Sequence, residues 1–151
     1  MELEEGAKAP SFSLPDASGK IHRLEDYKGK TLVLYFYPKD DTPGCTVEAC
    51  GFRDAERRIA EKGALVLGVS PDDAASHVKF AKKYSLPFTL LSDAAHQAAE
   101  KYGAWGKKKS MGREFEGIIR STFVIGPDGK IRTAIYGVKP DGHAQEIMEK
   151  L

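Results

Sequence analysis

The chain has 151 residues, of which 41% are hydrophobic and 30% charged, which fits one packed globular domain over residues 1–151 and is too short for two. Its 23 lysines and arginines nearly balance 22 aspartates and glutamates, for a net charge of +1, so the charge gives no reason to expect nucleic acid as a partner. No apolar stretch approaches the roughly 20 residues that span a bilayer and the acidic N-terminus is unlike a secretion signal, so we expect a cytoplasmic protein with no membrane partner.

The N-terminal part of the chain predicts a small β-hairpin followed by alternating strands and helices. Residues 12–14 and 20–22 flank an Asp-Ala-Ser-Gly turn, whose residues tolerate unusual backbone angles. The runs 31–37 and 64–69 are continuously apolar, as expected of strands that are covered on both faces. Between them, apolar residues at helical spacing predict a helix over 45–62, which completes a β-α-β unit.

The C-terminal part continues this alternation and ends in a second hairpin. Gly-Pro-Asp-Gly at 126–129 is a strong turn signal between two strand-like runs. The polar segment 105–117, which contains Lys107, Lys108, Lys109 and Arg113, is interpreted as an excursion between a helix and the sheet, with a solvated charged surface. The other predicted elements are helices over 72–84, 94–102 and 142–151 and strands over 86–91, 118–125 and 130–136.

This order of elements predicts an α/β fold with a central mixed β-sheet flanked by helices. The parallel strands come first and the antiparallel hairpin last, with helices on both faces. A thioredoxin-like sandwich with an N-terminal β-hairpin fits this order. A flavodoxin-like sheet is the competing arrangement, but it would not be expected to end in a β-hairpin.

Cys45 and Cys50 are the only two cysteines and the most informative residues. A close pair in a reducing compartment is more often catalytic, redox-active or metal-binding than structural. Thr42 can cap a helix with Pro43 at its first position, which puts Cys45 in the first turn at an exposed, electropositive site. A helix end favours an anion by only about 0.3–1 kcal/mol. Because a free thiol with a pKa of about 8.5 is mostly un-ionised near neutrality, a fixed cation must also lie nearby.

The two thiols are too far apart to bond while the helix is intact. Residues five apart on an ideal helix have Cα atoms roughly 8.6 Å apart, whereas disulfides rarely exceed about 6.8 Å. A bond would therefore require unwinding, which Gly51 makes easier because glycine weakens a helix interior by about 1 kcal/mol. Other interpretations stay open: Cys50 as an inert buried residue, or a zinc site, although the four histidines are scattered and no second pair has ligand spacing.

The residues around Cys45 resemble the active-site signature of a known family. Pro38-x-x-x-Thr42-x-x-Cys45 is similar to the signature of the peroxiredoxins, and Tyr-Pro-Lys-Asp-Asp-Thr-Pro-Gly-Cys-Thr-Val-Glu-Ala-Cys resembles their bacterioferritin comigratory protein, or peroxiredoxin Q, branch. The Arg-Ser-Thr-Phe-Val-Ile run from Arg120 and the Gly-x-x-Ala-Pro-x-Phe run from Gly6 extend the resemblance over nearly the whole chain. It implies a thioredoxin fold and thiol-dependent reduction of hydrogen peroxide and organic hydroperoxides, without cofactor or metal.

The resemblance also implies how the two cysteines share the reaction. Cys45 would be the peroxidatic thiolate, which peroxide oxidises to a sulfenic acid. Cys50 would be the resolving cysteine of the atypical, intrachain type, forming a disulfide that thioredoxin or a similar dithiol reductant reduces. The protein is expected to be a monomer, as is common in this branch.

Four further residues acquire roles from the same resemblance. Thr42 would hydrogen-bond the thiolate or the peroxide, Pro38 would shield the site from water, and Arg120 would supply the required cation. For Glu48 two interpretations stay open: it orients Arg120, or it is simply a favourable acid in the first turn of a helix.

Two other functions are compatible with the same cysteines. A thiol-based sensor or holdase would react slowly with peroxide and bind client proteins in an oxidised, locally unfolded form. A structural thioredoxin-like module would have inert thiols. The rate of reaction with peroxide distinguishes both from a peroxidase.

Overall fold

Nine strands and four α-helices make up the part of the chain that the structure describes, residues 2–151 without the side chain of Ser110, in a computed structural model. The strands are β1 (Ser13–Pro15), β2 (Ile21–Arg23), β3 (Thr31–Phe36), β4 (Ala64–Ser70), β5 (Thr89–Ser92), β6 (Trp105–Ser110), β7 (Arg113–Ile118), β8 (Ser121–Ile125) and β9 (Ile131–Tyr136). The helices are α1 (Pro43–Glu61), α2 (Ala74–Tyr84), α3 (Gln97–Lys101) and α4 (His143–Met148), with a short 3₁₀ helix at Leu24–Tyr27.

A mixed five-stranded sheet in the order β5-β4-β3-β8-β9 forms the centre of the fold. Strands β3, β4 and β5 are parallel, whereas β8 runs antiparallel to β3 and to β9. The β1–β2 hairpin forms a two-stranded sheet of its own and meets the central sheet at a bridge between Asp16 and Leu91. The predicted mixed sheet, with parallel strands first, an antiparallel hairpin last and a separate N-terminal hairpin, is confirmed.

Helices cover both faces of the sheet, and two apolar clusters lie beneath them. Side chains alternate along β3, so Leu32, Leu34 and Phe36 enter one cluster and Val33 and Tyr35 the other. The first cluster includes residues of α3 and the N-terminal segment, and the second includes residues of α1, α2 and α4. Every residue of β3 is buried, as predicted for a strand covered on both faces.

The segment 105–117, predicted only as a polar excursion between a helix and the sheet, is a β-hairpin that the sequence pattern did not predict. Strands β6 and β7 pair in antiparallel register and are joined by Met111 and Gly112, whose φ angles are 53° and 76°. Two consecutive positive φ values are the geometry of a tight hairpin turn that matches the twist of the strands. The run of three lysines hid the strand because it shows no alternation of apolar and polar residue types.

Helix α3 is shorter than predicted because its start is a turn. His96 has a left-handed backbone, with φ 47°, and the Asp93 carboxylate accepts hydrogen bonds from the backbone N–H groups of Ala98 and Ala99. These bonds satisfy donors that have no partner within a helix. None of the helices in residues 2–151 has the length and apolar character needed to cross a membrane.

Candidate active site

Cys45 lies just after the junction of β3 and α1. The chain leaves β3 at Phe36, passes through the loop 37–42 and enters α1 at Pro43, with Thr42 as the N-cap residue in extended backbone. This helix start agrees with the prediction and puts Cys45 in the first turn. The Thr42 side chain makes no capping bond, however, and its hydroxyl donates to the carbonyl of Lys39 at 2.8 Å.

The side chain of Cys45 is buried, so the predicted exposed position is wrong. Its exposed fraction is 1%, and it shares a face of α1 with Glu48, Ala49 and Phe52, which are also buried. These residues follow one another at helical spacing, and this is the face that packs on the sheet. The thiol is therefore held inside the protein beneath the helix start, rather than at its surface.

Arg120 reaches Cys45 from 75 positions along the chain. It immediately precedes β8, whose first residue, Ser121, pairs with Phe36 at the end of β3. One guanidinium nitrogen, Nη2, donates to Cys45 Sγ at 3.2 Å, and the other, Nη1, donates to Glu48 Oε1 at 2.7 Å. The structure thus brings together Cys45 and the cation that the weak helix end requires.

Glu48 is a buried partner of that guanidinium. Because α1 begins at Pro43, Glu48 lies beyond the first turn, and its side chain has no exposed surface, so its interpretation as a first-turn acid does not hold. Burial raises the pKa of Glu48 to about 7, although the Arg120 charge and hydrogen bond act to lower it. Its second oxygen, Oε2, has no hydrogen-bond partner among the described residues. The carboxylate is therefore held in place mainly by Arg120.

Burial also opposes the charge of Arg120, but its two hydrogen-bond partners outweigh this effect. Desolvation lowers the pKa of Arg120, whereas Glu48 and the Cys45 sulfur raise it, and the net shift is upward. The guanidinium is consequently charged throughout the range in which Glu48 titrates. Negative charge on Sγ is stabilised by a cation that cannot lose its proton.

The two remaining loop residues of the predicted site, Pro38 and Thr42, lie in the same short segment and are half-buried. Because the Thr42 hydroxyl proton is directed at Lys39, the lone pairs of its oxygen are free to accept a hydrogen bond. A reactant O–H near Cys45 is a suitable donor for it.

Cys50 lies on the same unbroken helix and is half-buried. Both cysteines are free thiols, and the helix geometry of five residues keeps their Cα atoms roughly 8.6 Å apart. Gly51 lies beside α4, where an added Cβ would be in ordinary contact, 3.4 Å from Cβ of Ala144. The closing helix α4 therefore packs against α1 next to Cys50.

Lys108 lies close to the site, although the sequence indicated only a solvated surface. Its ammonium group donates to the carbonyl of Ile118 at 2.7 Å, and burial, followed by the charge of Arg120, lowers the pKa of Lys108. Lys107 and Lys109 are exposed, as predicted. The signal that could have found Lys108 is the strand alternation of β6, which turns the middle lysine inward.

His143, the first residue of α4, is a second residue that sequence reasoning missed. Its ring nitrogens lie 2.9 Å from Glu146 Oε1 and 2.7 Å from Thr122 Oγ1, and Nε2 is 4.0 Å from Glu48 Oε2. Burial lowers the pKa of His143, only partly offset by Glu146. A neutral imidazole therefore borders the unpaired side of Glu48. Nothing in the local sequence of a lone histidine signals this contact.

Comparisons with known proteins agree with this geometry. The sequence matches the AhpC/TSA family over residues 6–134. It is 48% identical over 151 residues to peroxiredoxin Bcp of Bacillus subtilis, in an alignment that covers 100% of this chain and 96% of that protein.

Two solved structures are similar over nearly the whole chain. A PrxQ mutant from Xylella fastidiosa has a TM-score of 0.93 at 34% identity and covers 99% of this chain and 96% of its own. The bacterioferritin comigratory protein of Xanthomonas campestris has a TM-score of 0.90 at 33% identity and covers 97% and 96%. These similarities confirm the predicted thioredoxin-like sandwich. The chain therefore belongs to the AhpC/TSA family and, within it, to the Bcp or PrxQ peroxiredoxins, which are thiol peroxidases.

Proposed function

We propose that this protein reduces hydrogen peroxide and organic hydroperoxides at Cys45 and resolves the oxidised thiol with Cys50. The observation that carries the proposal is the guanidinium of Arg120, which bonds Cys45 Sγ and Glu48 at the same time. A buried sulfur next to a permanently charged donor is suited to act as a thiolate nucleophile. Organic hydroperoxides are included because the structure of the Xanthomonas campestris relative concerns that protein's alkyl peroxide reduction activity.

In the first step the thiolate of Cys45 attacks the terminal oxygen of the peroxide. The S–O bond forms as the O–O bond breaks, the terminal oxygen keeps its hydrogen, and the leaving alkoxide or hydroxide takes up a proton. Arg120 and the backbone N–H of Cys45 stabilise the charge that moves onto the leaving oxygen. Thr42 accepts a hydrogen bond from the peroxide, and Pro38 limits the access of water. Cys45 becomes a sulfenic acid.

In the second step the thiol of Cys50 condenses with that sulfenic acid. A disulfide forms and water leaves. Because the helix separates the two residues, the first turns of α1 must unwind before the sulfurs can meet. An external dithiol such as thioredoxin then exchanges with the disulfide and restores both thiols.

Three wider features belong to the same proposal. One domain over residues 1–151 is part of the proposal, because both apolar clusters form on the two faces of one central sheet, and so is the monomer that the family resemblance implies. The disulfide has to be reduced in every cycle, which supports a cytoplasmic location, where dithiol reductants are maintained. The peroxidase and its reductant would therefore share a compartment.

Titration with peroxide tests the assignment of the two cysteines. One equivalent of hydrogen peroxide should consume both free thiols, and mass spectrometry of the digested protein should locate a Cys45–Cys50 bond within one chain. Cys50→Ser should complete one turnover and accumulate a sulfenic acid at Cys45, which a dimedone adduct detects. A bond between two chains, or a Cys50 that stays free in the oxidised protein, would contradict the resolving role.

Gly44→Ala should slow the first step by displacing Arg120. An added Cβ at this position would lie 3.2 Å from Arg120 Nη2 and 3.3 Å from Pro140 Cγ, tighter than ordinary contact, so we expect the guanidinium to shift and its hydrogen bond to the sulfur to weaken. We expect the rate of peroxide reaction to fall about tenfold, which matches the net value of one hydrogen bond to a charged group. Rapid mixing with peroxide followed by thiol counting measures this rate.

Gly51→Ala is the matched control for that substitution, on the same helix. Its added Cβ would lie at the edge of ordinary contact, 3.4 Å from Cβ of Ala144, and does not touch Arg120. The peroxide step should be unchanged, whereas disulfide formation should slow about fivefold because alanine strengthens the helix by about 1 kcal/mol. Equal peroxide rates in the two variants would show that Arg120 is not sensitive to Gly44.

A further inference from the structure

The loop 37–42, which carries Pro38 and Thr42, is tied to α2 through the buried carboxylate of Asp40. Asp40 Oδ1 accepts a hydrogen bond from the Tyr37 hydroxyl at 2.5 Å. Its Oδ2 accepts from the Ser76 hydroxyl at 2.8 Å and lies 2.7 Å from Nδ1 of His77. Three donors from two elements therefore converge on one buried carboxylate, and only a carboxylate can accept all of them.

The hydrogen bonds of His77 require a doubly protonated ring. Its Nδ1 faces the Asp40 carboxylate, and its Nε2 faces the backbone carbonyl of Leu91 at 3.0 Å. Both partners are acceptors, so both ring nitrogens have to donate. Burial lowers the pKa of His77, but the hydrogen bond to Asp40 and the charges of Asp40 and Asp72 outweigh it, and the net shift is upward from 6.5. His77 and Asp40 form a buried ion pair with side-chain exposures of 1% and 3%.

A metal site at the same place does not fit these contacts. Ligand atoms of Asp40, Asp72 and His77 lie within 4.8 Å of one another. The Asp72 Oδ2 atom already accepts from the Ser70 hydroxyl at 2.7 Å and from the Asp40 backbone N–H at 2.8 Å. Because both nitrogens of His77 carry protons, the ring has no lone pair for a cation. Hydrogen bonds therefore account for the close approach of these three side chains.

A second, weaker contact joins the same loop to α2. Asp41 has a left-handed backbone, with φ 54°, and its carboxylate accepts from Lys83 Nζ and from the Tyr84 hydroxyl, each at 2.8 Å. This pair is exposed, so water and salt screen it. The buried Asp40–His77 pair is the stronger connection between the loop and α2, because it cannot be broken without leaving a charge unpaired inside the protein.

We propose that Asp40 and His77 are positioning residues for the peroxidase reaction: their ion pair holds the loop 37–42 in the conformation that aligns Pro38 and Thr42 with Cys45. This rests on the proposed function, in which the first turns of α1, which carry Cys45, unwind before the disulfide forms. The ion pair keeps the loop 37–42 fixed while the start of α1 unwinds. Breaking it should therefore affect the two steps differently, slowing peroxide attack while disulfide formation is unchanged or faster.

The pair also makes the first step depend on pH in a known direction. A histidine whose pKa is raised in the folded protein contributes fully below its ordinary value and loses that contribution as pH rises through the raised value. The groups that face His77 are Asp40 from the loop, Asp72 from the segment before α2 and the Leu91 carbonyl from β5. The advantage of the wild type over a variant without the pair should decline as pH rises.

His77→Gln tests the proposal, since glutamine can donate to Asp40 but carries no charge. We expect the second-order rate with hydrogen peroxide at pH 6.5 to fall about tenfold, as for loss of a charged hydrogen bond, and disulfide formation to be no slower. Rapid quenching with an alkylating reagent, followed by mass spectrometry, measures both steps. The ratio of the wild-type to the variant peroxide rate should approach one as pH rises. Because both proteins share their other titrating groups, the pH effects of those groups cancel in this ratio.

His22→Gln is the matched control, because His22 Nε2 and Asp16 Oδ2 form another histidine–aspartate pair at 2.8 Å that does not touch the loop 37–42. Both rates should stay at the wild-type level in this variant. Ser76→Ala removes one donor to Asp40 but leaves the ion pair, so a smaller reduction of the peroxide rate, about threefold, is expected. This variant tests the tie even where His77→Gln does not fold.

Several results would overturn the proposal. An unchanged peroxide rate in both His77→Gln and Ser76→Ala would contradict it. So would an equal slowing of both steps in His77→Gln, or an equal loss of peroxide rate in His22→Gln. A wild type that forms no Cys45–Cys50 bond would instead contradict the resolving role of Cys50. In that case the peroxide rates of the variants and their dependence on pH still decide whether the Asp40–His77 ion pair positions the loop 37–42.

Discussion

Cys45→Ser is expected to abolish peroxide reduction, with a loss of at least about 1000-fold in rate. A serine hydroxyl is not ionised at neutral pH even beside Arg120, and its oxygen is a far weaker nucleophile than a thiolate. The side chain is nearly the same size and keeps an acceptor for the guanidinium, so the protein should stay folded. The loss is therefore expected in the chemical step and not in stability.

Peroxide consumption in the presence of excess dithiol measures this loss. Cys50→Ser is the matched control, because it also removes one thiol but should retain the first turnover. Rapid catalytic removal of peroxide by Cys45→Ser with a reductant present would refute the assignment of Cys45. Slow oxidation of the wild type together with tight binding of unfolded client proteins would instead favour a sensor or holdase.

Arg120→Met should have the second-largest effect, a fall of about 100- to 1000-fold in the peroxide step. The substitution removes the donor at 3.2 Å from Cys45 Sγ and with it the positive charge that stabilises the thiolate and the leaving oxygen. Methionine retains much of the apolar side-chain volume. Rapid-mixing measurement of the first step, as a function of peroxide concentration, gives the rate constant to compare.

The stability of Arg120→Met should depend on pH in a direction set by Glu48. Burial already raises the pKa of Glu48 to about 7, and Arg120 acts to lower it. Without Arg120 that pKa rises further, so near neutrality Glu48 takes up a proton and the variant avoids an unpaired buried charge. A carboxyl whose pKa is raised on folding stabilises the protein at low pH and loses that contribution as pH rises through the raised value. The free energy of unfolding, relative to wild type, should therefore decrease from pH 6 to pH 9.

Arg113→Met is the control for this variant, since Arg113 is exposed in β7 and should leave both the peroxide rate and the stability within error of wild type. Denaturant titrations at several pH values measure the stability difference. An Arg120→Met protein that reacts with peroxide within about threefold of wild type would show that the helix end alone activates Cys45, contrary to the magnitude of that effect.

Local features of the site could be predicted because they depend on neighbours along the chain. Thr42 and Pro43 mark a helix start, so Cys45 had to be in a first turn. The separation of Cys45 and Cys50 followed from helix geometry alone. Hairpins with glycine turns were found for the same reason, except for β6–β7, whose turn at Met111 and Gly112 adjoins a run of lysines that conceals the alternation.

The other features of the site depend on contacts between segments that are distant in the sequence. The need for a cation followed from the weak helix end, but its geometry depends on β8 pairing antiparallel with β3, which brings Arg120 to the end of the strand before Cys45. Burial of Cys45 and Glu48 depends on which face of α1 meets the sheet. The positions of Lys108 and His143 likewise depend on how a hairpin and a helix pack on that face.

The amino-acid sequence therefore determined the reactive thiol, its partner five residues on and the order of strands and helices around them. Only the tertiary structure decided that the thiol is buried, that Glu48 pairs with Arg120 and that the loop before the helix is tied to α2 through Asp40 and His77. The physical reason is the distance along the chain over which each effect acts. Turn and helix signals act over a few residues, whereas the charge and burial of a site depend on side chains that packing brings together from separate parts of the chain.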